Sequence, residues 1–170
     1  MFMLEKNIKI RILEKSDYSQ SYLNWFSDPD VVRFSENRKK VHSKESQIEY
    51  IKSFENKKTK FLYGIFFKTI HIGNIEINPI NFRFKHANIS YMIGEKKFWG
   101  KGIATHSITY ISQIAKSQFK LKKLYAGCAS GNIPSIKVLK KNDFVLVSSE
   151  KDFFFYDEKY MNRLKFAKKL

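Results

Sequence analysis

The sequence predicts a mixed α/β fold for a single domain that spans residues 1–170. Three observations carry this prediction. Segments with apolar residues at every second position, typical of strands, are interspersed with segments whose apolar residues recur at helical spacing. The length of 170 residues is that of one domain. Hydrophobic residues make up 43% of the chain, which is enough for a core and excludes a disordered protein.

The N-terminal third is predicted to form one strand and two helices. Residues 8–12 alternate between isoleucine and a basic residue, as in a half-buried strand. Ser16 is placed to cap a first helix, which Asp28-Pro29 ends. A polar loop covers residues 35–40, and Ser43 is placed to cap a second helix. The predicted core-facing side chains of that second helix are Ile48, Ile51 and Phe54.

Three strands follow in succession, at residues 61–67, 72–77 and 88–93. The connection between the last two is predicted to be a loop over residues 78–86, because it contains Pro79. A helix then runs from Gly102 to about Gln118.

The C-terminal part is predicted to alternate between strands and helices. A buried strand covers residues 124–128, and Pro134 suits the first turn of a helix that ends near Asn142. A strand covers residues 144–147. Two further segments complete the sheet, at residues 153–156 and 160–166.

The net charge and the cysteine content indicate which binding partners and which cellular compartment to expect. The chain carries 32 Lys and Arg against 16 Asp and Glu, a net charge of +16. This favours an acidic partner or a solvated basic surface. Cys128 is the only cysteine, so no intramolecular disulfide forms. Residues 1–6 lack a secretion signal and the longest apolar stretch, 61–67, is too short to span a bilayer. We therefore expect a cytoplasmic protein without a membrane span.

A short glycine loop, Gly100-Lys101-Gly102, opens the predicted helix soon after a strand ends. The first turn of a helix offers unpaired amides, and glycine allows close approach to the backbone, so the loop can hold a pyrophosphate. It lacks the lysine–serine ending of a P-loop and the glycine spacing of a Rossmann motif. A tight strand-to-helix turn is the alternative reading.

Three segments, in the right order, resemble the GNAT superfamily of N-acetyltransferases. Tyr91 to Thr105 is similar to its cofactor motif, and Asn132 to Phe144 is similar to its Asn-x-x-Ser helix. Trp25 to Val32 resembles the branch that contains ribosomal-protein N-terminal acetyltransferases and amino-sugar N-acetyltransferases. The resemblance covers roughly residues 7–166. It implies a central mixed, mainly antiparallel sheet with helices on both faces.

The resemblance implies acetyl-CoA as the acetyl donor. The glycine loop would hold the pyrophosphate, the strand end would pair with the pantetheine arm, and Ser135 would sit near the thioester sulfur. The residues implied to bind the cofactor are Met92, Ile93, Gly100, Lys101, Gly102, Ala104, Thr105 and Asn132.

The chain departs from the family pattern at several positions that matter for catalysis. Lys97 stands where Arg or Gln is usual, and Asp143 stands where the second helix normally ends in glycine. Asn88 occupies the position of a frequent glutamate base, and Leu139 that of a frequent tyrosine acid.

The proposed chemistry is direct attack of an amine, which must first lose its proton. Glu76 is the first candidate base, because it points away from its apolar neighbours on the strand. Ser135 is the candidate donor to the leaving sulfur. His106 and His86 are the alternative bases.

The favoured acceptor is a small-molecule amine, specifically a nucleotide-linked amino sugar. Glu36, Asn37 and Arg38 are the predicted substrate contacts, in the loop that would border the acceptor pocket. A protein N-terminus is the alternative acceptor, and a non-catalytic basic domain that binds nucleic acid or the ribosome is the alternative function. No tandem basic and aromatic motif is present, which disfavours nucleic acid. We also expect a homodimer and no metal.

Overall fold

Seven strands form one sheet in the computed structural model, which describes residues 6–170. The strands are β1 (Ile8–Ile12), β2 (Phe61–Phe67), β3 (Ile70–Asn81), β4 (His86–Ile93), β5 (Lys123–Ala129), β6 (Val145–Tyr156) and β7 (Lys159–Lys169). Their order in the sheet is β1-β2-β3-β4-β5-β7-β6. Every neighbouring pair is antiparallel except β4 and β5, which run parallel. The predicted mixed, mainly antiparallel sheet is confirmed.

Within residues 6–170, five α-helices flank this sheet, with short 3₁₀ turns between the first ones. They are α1 (Gln20–Asn24), α2 (Pro29–Val32), α3 (Lys44–Lys52), α4 (Ile103–Ser117) and α5 (Ile133–Lys141). None of the helices in residues 6–170 is long and apolar enough to cross a membrane. Residues 1–5, part of the segment inspected for a secretion signal, lie outside the described residues.

Alternate side chains of β2 divide the core into two layers, one on each face of the sheet. Tyr63 and Ile65 belong to the larger layer, which α4 and α5 cover. Leu62 and Phe66 belong to the smaller layer, together with Tyr22 of α1 and other side chains of the N-terminal helices. The predicted helices on both faces are confirmed.

The N-terminal caps differ in part from the prediction. Ser43 caps α3 as predicted, and its side chain accepts a hydrogen bond from the amide of Ser46. The prediction of Ser16 as a cap was wrong. Residues 15–17 form a 3₁₀ turn, and Ser19 caps α1 instead. Both serines precede the same apolar run, so the sequence alone did not distinguish them.

Two strand boundaries also differ from the prediction. The predicted loop at 78–86 is a turn of residues 82–85 only, because β3 continues past Pro79 through a bulge in its pairing with β4. The segments predicted at 144–147 and 153–156 are parts of one edge strand, β6. Its solvent-exposed middle carries no apolar alternation, so no pattern in the sequence indicated that the two segments are continuous.

The sheet splits between β4 and β5, which run parallel and pair over a short length only. Three residue pairs join the two strands, and the last is Asn88 with Tyr125. Beyond this point β4 continues to Ile93 and β5 to Ala129 without pairing to each other. The two strands therefore separate toward their C-terminal ends and leave a gap in the middle of the sheet.

Candidate active site

A cleft of about 1360 Å³ includes this gap and is bordered by the first turn of α4, the first half of α5 and the N-terminal helices. Most residues predicted from the sequence line it. Those that do are Glu36, Asn37, Glu76, Met92, Ile93, Gly100, Gly102, Ala104, Thr105, Asn132 and Ser135. The structure therefore brings together residues from four separate segments of the chain.

The first turn of α4 has free backbone amides and open space above them. Gly100 and Gly102 have φ of 72° and 79°, in the left-handed region that glycine adopts without cost. A Cβ at either position would meet no atom within 4 Å, so the space over the loop is open. Among residues 6–170, no acceptor lies on the amides of the next three residues, and the first intrahelical bond is from His106 N to Gly102 O. These free amides fit a pyrophosphate.

Two lysines add positive charge to the same end of the cleft. Lys137 and Lys141 lie one turn apart on α5, and both line the cleft. The free amides after Gly102, which form a phosphate cradle, and these two cations together fit the phosphates of coenzyme A. Lys101 does not line the cleft, and its ammonium lies 5.6 Å over the ring of Phe98. The predicted contact of Lys101 with the cofactor therefore involves its backbone amide and not its side chain.

Ser135 is held at the start of α5 by the helix cap. Asn132 is the cap residue, and its Oδ1 accepts a hydrogen bond of 3.2 Å from the amide of Ser135. Asn132 therefore keeps its Nδ2 amide for other partners. The Ser135 hydroxyl lies 2.7 Å from the hydroxyl of Tyr91 on β4, and burial raises the pKa of Tyr91 to about 12.

Glu76 enters the cleft from the opposite face of the sheet. It is half-buried on β3, and its Oε1 accepts a hydrogen bond from the hydroxyl of Tyr50 on α3. Its Oε2 accepts a longer bond of 3.5 Å from Asn78. The pKa of Tyr50 is raised mainly by desolvation and secondly by the charge of the Glu76 carboxylate, so the phenol remains a hydrogen-bond donor.

The predicted substrate loop divides between two places. Glu36 and Asn37 line the cleft, and Glu36 accepts a hydrogen bond of 2.8 Å from the hydroxyl of Tyr156. Arg38 does not line this cleft. Its guanidinium lies 3.9 Å over the ring of Tyr156 and donates to the Phe155 carbonyl at 2.8 Å. Arg38 thus holds the β6–β7 hairpin against the N-terminal helices.

The alternative bases lie outside the cleft lining. His86 stacks against Phe84 at the β3–β4 turn, and His106 lies one turn inside α4. No group of three His, Cys, Asp or Glu that could hold a metal ion occurs in the described part of the chain.

Sequence reasoning missed the two tyrosines that contact the candidate catalytic residues. Tyr91 was read as the first residue of the cofactor motif, yet its position two residues from Ile89 and Ile93 places all three on the face that α4 and α5 cover. Tyr50 lies between the core positions of α3, three residues after Gln47. That spacing places both side chains on one helix face, and both line the cleft in the structure.

A family model for the acetyltransferase (GNAT) domain matches residues 7–145. The chain belongs to this family. It is an acetyl-CoA-dependent N-acetyltransferase, as the three sequence segments predicted, and the non-catalytic alternative is set aside. Among curated proteins, no sequence matches this acetyltransferase significantly.

Solved structures share the whole fold at low sequence identity. The ribosomal L7/L12 α-N-protein acetyltransferase RimL, in complex with coenzyme A, has a TM-score of 0.86 and 17% identity over 98% of this chain and 96% of its own. Spermidine N-acetyltransferase from Vibrio cholerae, with CoA and spermine, has a TM-score of 0.85 and 18% identity over 96% of both chains. The microcin C7 self-immunity acetyltransferase MccE, with acetyl-CoA and AMP, has a TM-score of 0.84 and 18% identity over 96% of this chain and 93% of its own.

Two departures from the family pattern have a structural explanation in this acetyltransferase. Asp143 adopts φ of 62°, the left-handed conformation that follows the end of a helix and that glycine normally supplies. Leu139 is fully buried in the larger core layer. A tyrosine hydroxyl in its place would need a hydrogen-bond partner there, whereas the leucine side chain needs none.

Proposed function

We propose that this acetyltransferase acetylates a primary amine that enters the cleft as a cation and gives its proton to Glu76. One observation carries the proposal. Three carboxylates from residues 6–170 line the cleft, and two of them are ion-paired. Asp30 pairs with Lys96 at 2.9 Å, and Glu36 pairs with Lys39 at 3.0 Å. Glu76 has no ion pair within the described residues, so its charge is available to an incoming ammonium.

The donor end of the cleft supports the predicted cofactor site. When bound, acetyl-CoA supplies an acetyl group already activated as a thioester. The free amides after Gly102 and the ammonium groups of Lys137 and Lys141 would bind its phosphates. The backbone of β4 beyond Asn88, which does not pair with β5, would bind its extended arm, as a sheet edge binds an added strand. The Ile93 carbonyl already accepts a bond of 2.7 Å from Trp99.

Glu76 and Ser135 divide the proton chemistry between the two faces of the sheet. Glu76 lies on the face of α1 and α3, where it would hold the ammonium and take its proton. Ser135 lies on the face of α4 and α5, where its hydroxyl would donate to a departing thiolate. Both side chains line one cleft, so a base and a donor flank the reaction from opposite sides.

The acceptor class follows from the walls around Glu76. Aromatic rings surround the acceptor end, and a cation is attracted to both a free carboxylate and ring faces. The aromatic residues are Phe26, Phe34, Tyr50, Phe154 and Tyr156. We infer that a small aliphatic amine of the polyamine type is the leading acceptor, consistent with the spermine bound to one similar structure.

The nucleotide-linked amino sugar is the second candidate acceptor. Lys40 lines the same end of the cleft and has no ion pair among residues 6–170, so it can bind a phosphate. The AMP bound to MccE supports only the nucleotide part of this acceptor, and the RimL structure supports a protein N-terminus.

A homodimer also remains a proposal. Strand β6 is an edge of the sheet and exposes Val145, Leu146 and Val147, each at least half accessible. Exposed apolar edges favour pairing with another strand. Sedimentation equilibrium at micromolar concentration tests the proposal, and a monomer throughout would remove it.

Binding and turnover experiments test the function separately. Acetyl-CoA and CoA are expected to raise the melting temperature and NAD is not, because a ligand that binds the native state at 100 times its Kd stabilises it by about 2.7 kcal/mol. Thiol release is then measured with spermidine, a nucleotide-linked amino sugar and an N-terminal peptide of a ribosomal protein. Release with spermidine supports the leading acceptor. A folded protein that neither CoA species stabilises would contradict the cofactor site.

A further inference from the structure

A hydrogen bond between two side-chain hydroxyls joins two walls of the cleft. The hydroxyl oxygens of Tyr91 on β4 and Ser135 on α5 lie 2.7 Å apart. Both side chains are partly exposed, and both line the cleft. The bond lies beyond the point where β4 and β5 separate, so it connects two walls that share no backbone pairing there.

The direction of this bond follows from the chemistry of the two hydroxyls. A phenol is a stronger donor and a weaker acceptor than an aliphatic alcohol, so Tyr91 donates to Ser135 Oγ. The other acceptor near the phenol, the carbonyl of Ser135, is 3.4 Å away and binds less well. Burial raises the pKa of Tyr91 to about 12, so the phenol keeps its hydrogen at neutral pH.

Ser135 therefore accepts one hydrogen bond and has its own hydrogen to give. Its side chain also interacts with the half-buried thiol of Cys128, whose pKa is raised by burial and which stays neutral. A neutral thiol is a weak acceptor, so it competes poorly with a thiolate for the serine hydrogen. A hydroxyl that accepts a hydrogen bond also donates more strongly, because the two bonds polarise each other.

We propose that Tyr91 is a positioning residue, which donates to Ser135 Oγ and thereby directs the serine hydrogen to the sulfur of coenzyme A. This inference rests on the proposed role of Ser135. No proton leaves Tyr91 in the reaction. The phenol sets the orientation of the serine hydroxyl and strengthens its hydrogen bond to the leaving group.

A double-mutant cycle with Tyr91→Phe and Ser135→Ala tests the proposal. Tyr91→Phe is expected to lower kcat about 3- to 10-fold, the range of one hydrogen bond, with the KM for acetyl-CoA changed less than about twofold. In the Ser135→Ala background the same change is expected to have almost no effect on kcat. Tyr125→Phe is the matched control, because that tyrosine lies on β5 and does not line the cleft.

A second readout is independent of turnover. The thiol of bound CoA is titrated by the ultraviolet difference absorbance of its thiolate, with the spectra of free protein and free CoA subtracted. Loss of a donor to the thiolate raises its pKa. We expect Tyr91→Phe and Ser135→Ala each to move this titration to higher pH, and Tyr125→Phe to leave it unchanged.

The outcomes distinguish the inference from the function on which it rests. If Ser135→Ala lowers kcat and shifts the thiol titration while Tyr91→Phe does neither, the positioning role is overturned and the role of Ser135 stands. If Tyr91→Phe lowers kcat equally in both backgrounds, the bond is a structural tie and the proposal is overturned. If Ser135→Ala changes neither quantity, the proposed donor is wrong and the inference falls with it.

Discussion

Tyr50 of α3 donates its phenolic hydrogen to Oε1 of Glu76 on β3, so a helix and a strand meet at the acceptor end of the cleft. The donor is neutral, and it leaves the negative charge of the carboxylate uncompensated. This arrangement orients Glu76 without an ion pair. A base that binds an ammonium and then takes its proton needs that combination of fixed position and free charge.

Glu76→Gln is expected to lower kcat by about 10²–10⁴-fold at neutral pH, the range for a general base. Acetyl-CoA affinity is expected to stay unchanged, because Glu76 lies on the other face of the sheet from Ser135. The loss should shrink as pH rises, since more of the amine is then already neutral. Steady-state kinetics across pH and calorimetric titration with acetyl-CoA measure both effects.

Glu55→Gln is the matched control for this prediction, because Glu55 is exposed and lies outside the cleft. A near-wild-type kcat for Glu76→Gln at neutral pH would remove Glu76 as the base. Neither His86 nor His106 lines the cleft, so His42, which does, or a water molecule held by polar groups of the cleft would then be the next candidate acceptor.

Tyr50→Phe is expected to lower kcat/KM for the amine about 3- to 10-fold, the range of one hydrogen bond, because the phenol orients the Glu76 carboxylate. The affinity for acetyl-CoA should stay unchanged, since the phenol lies at the acceptor end of the cleft. Steady-state kinetics and calorimetric titration measure the two effects. Tyr18→Phe, a tyrosine outside the cleft, is the control, and a wild-type kcat/KM in Tyr50→Phe would contradict the link.

Substitution of Gly102 is expected to weaken CoA binding through bulk over the phosphate cradle. Valine is strained at φ of 79°, whereas asparagine tolerates the left-handed region. Without ligand, Gly102→Asn should therefore have a melting temperature close to that of the wild type. Gly102→Val and Gly102→Asn should both lose at least tenfold in CoA affinity. Unchanged affinity in Gly102→Asn would mean that the phosphates bind elsewhere.

Asp143→Gly is expected to stabilise the protein by up to about 1 kcal/mol, because Asp143 occupies the left-handed conformation after α5 at φ of 62°. Urea unfolding measures the change. Asp143→Asn is the matched control and should be nearly neutral, since asparagine accepts this conformation as aspartate does. A loss of stability in Asp143→Gly would show that the carboxylate itself contributes more than the backbone strain costs.

The residues predicted at the donor end of the site come together in the structure more completely than those predicted at the acceptor end. The segments at Gly100–Gly102 and at Asn132–Ser135 are proposed to bind through backbone atoms and caps, whose geometry is local and follows from a few adjacent residues. The glycine loop was therefore visible in the sequence itself, and Asn132 and Ser135 followed from the family resemblance. All residues of both segments except Lys101 line the cleft.

The acceptor end depends on contacts between distant segments, which spacing does not reveal. Tyr50 and Glu76 lie 26 residues apart, and Tyr91 and Ser135 lie 44 apart. Arg38 was assigned to the substrate from its loop, but its guanidinium stacks on Tyr156, far along the chain. Such partners are fixed by the packing of helices on the sheet, so they became visible only with the structure.

The short junction between β4 and β5 makes the stability of this enzyme sensitive to the concentration of acetyl-CoA. Three residue pairs hold a four-stranded half of the sheet to a three-stranded half, and a molecule laid in the gap would bridge them. By mass action, a cell rich in acetyl-CoA keeps more of the protein folded and shields it from proteases. We therefore expect the abundance of the enzyme to follow the metabolic state of the cell even when its synthesis is constant.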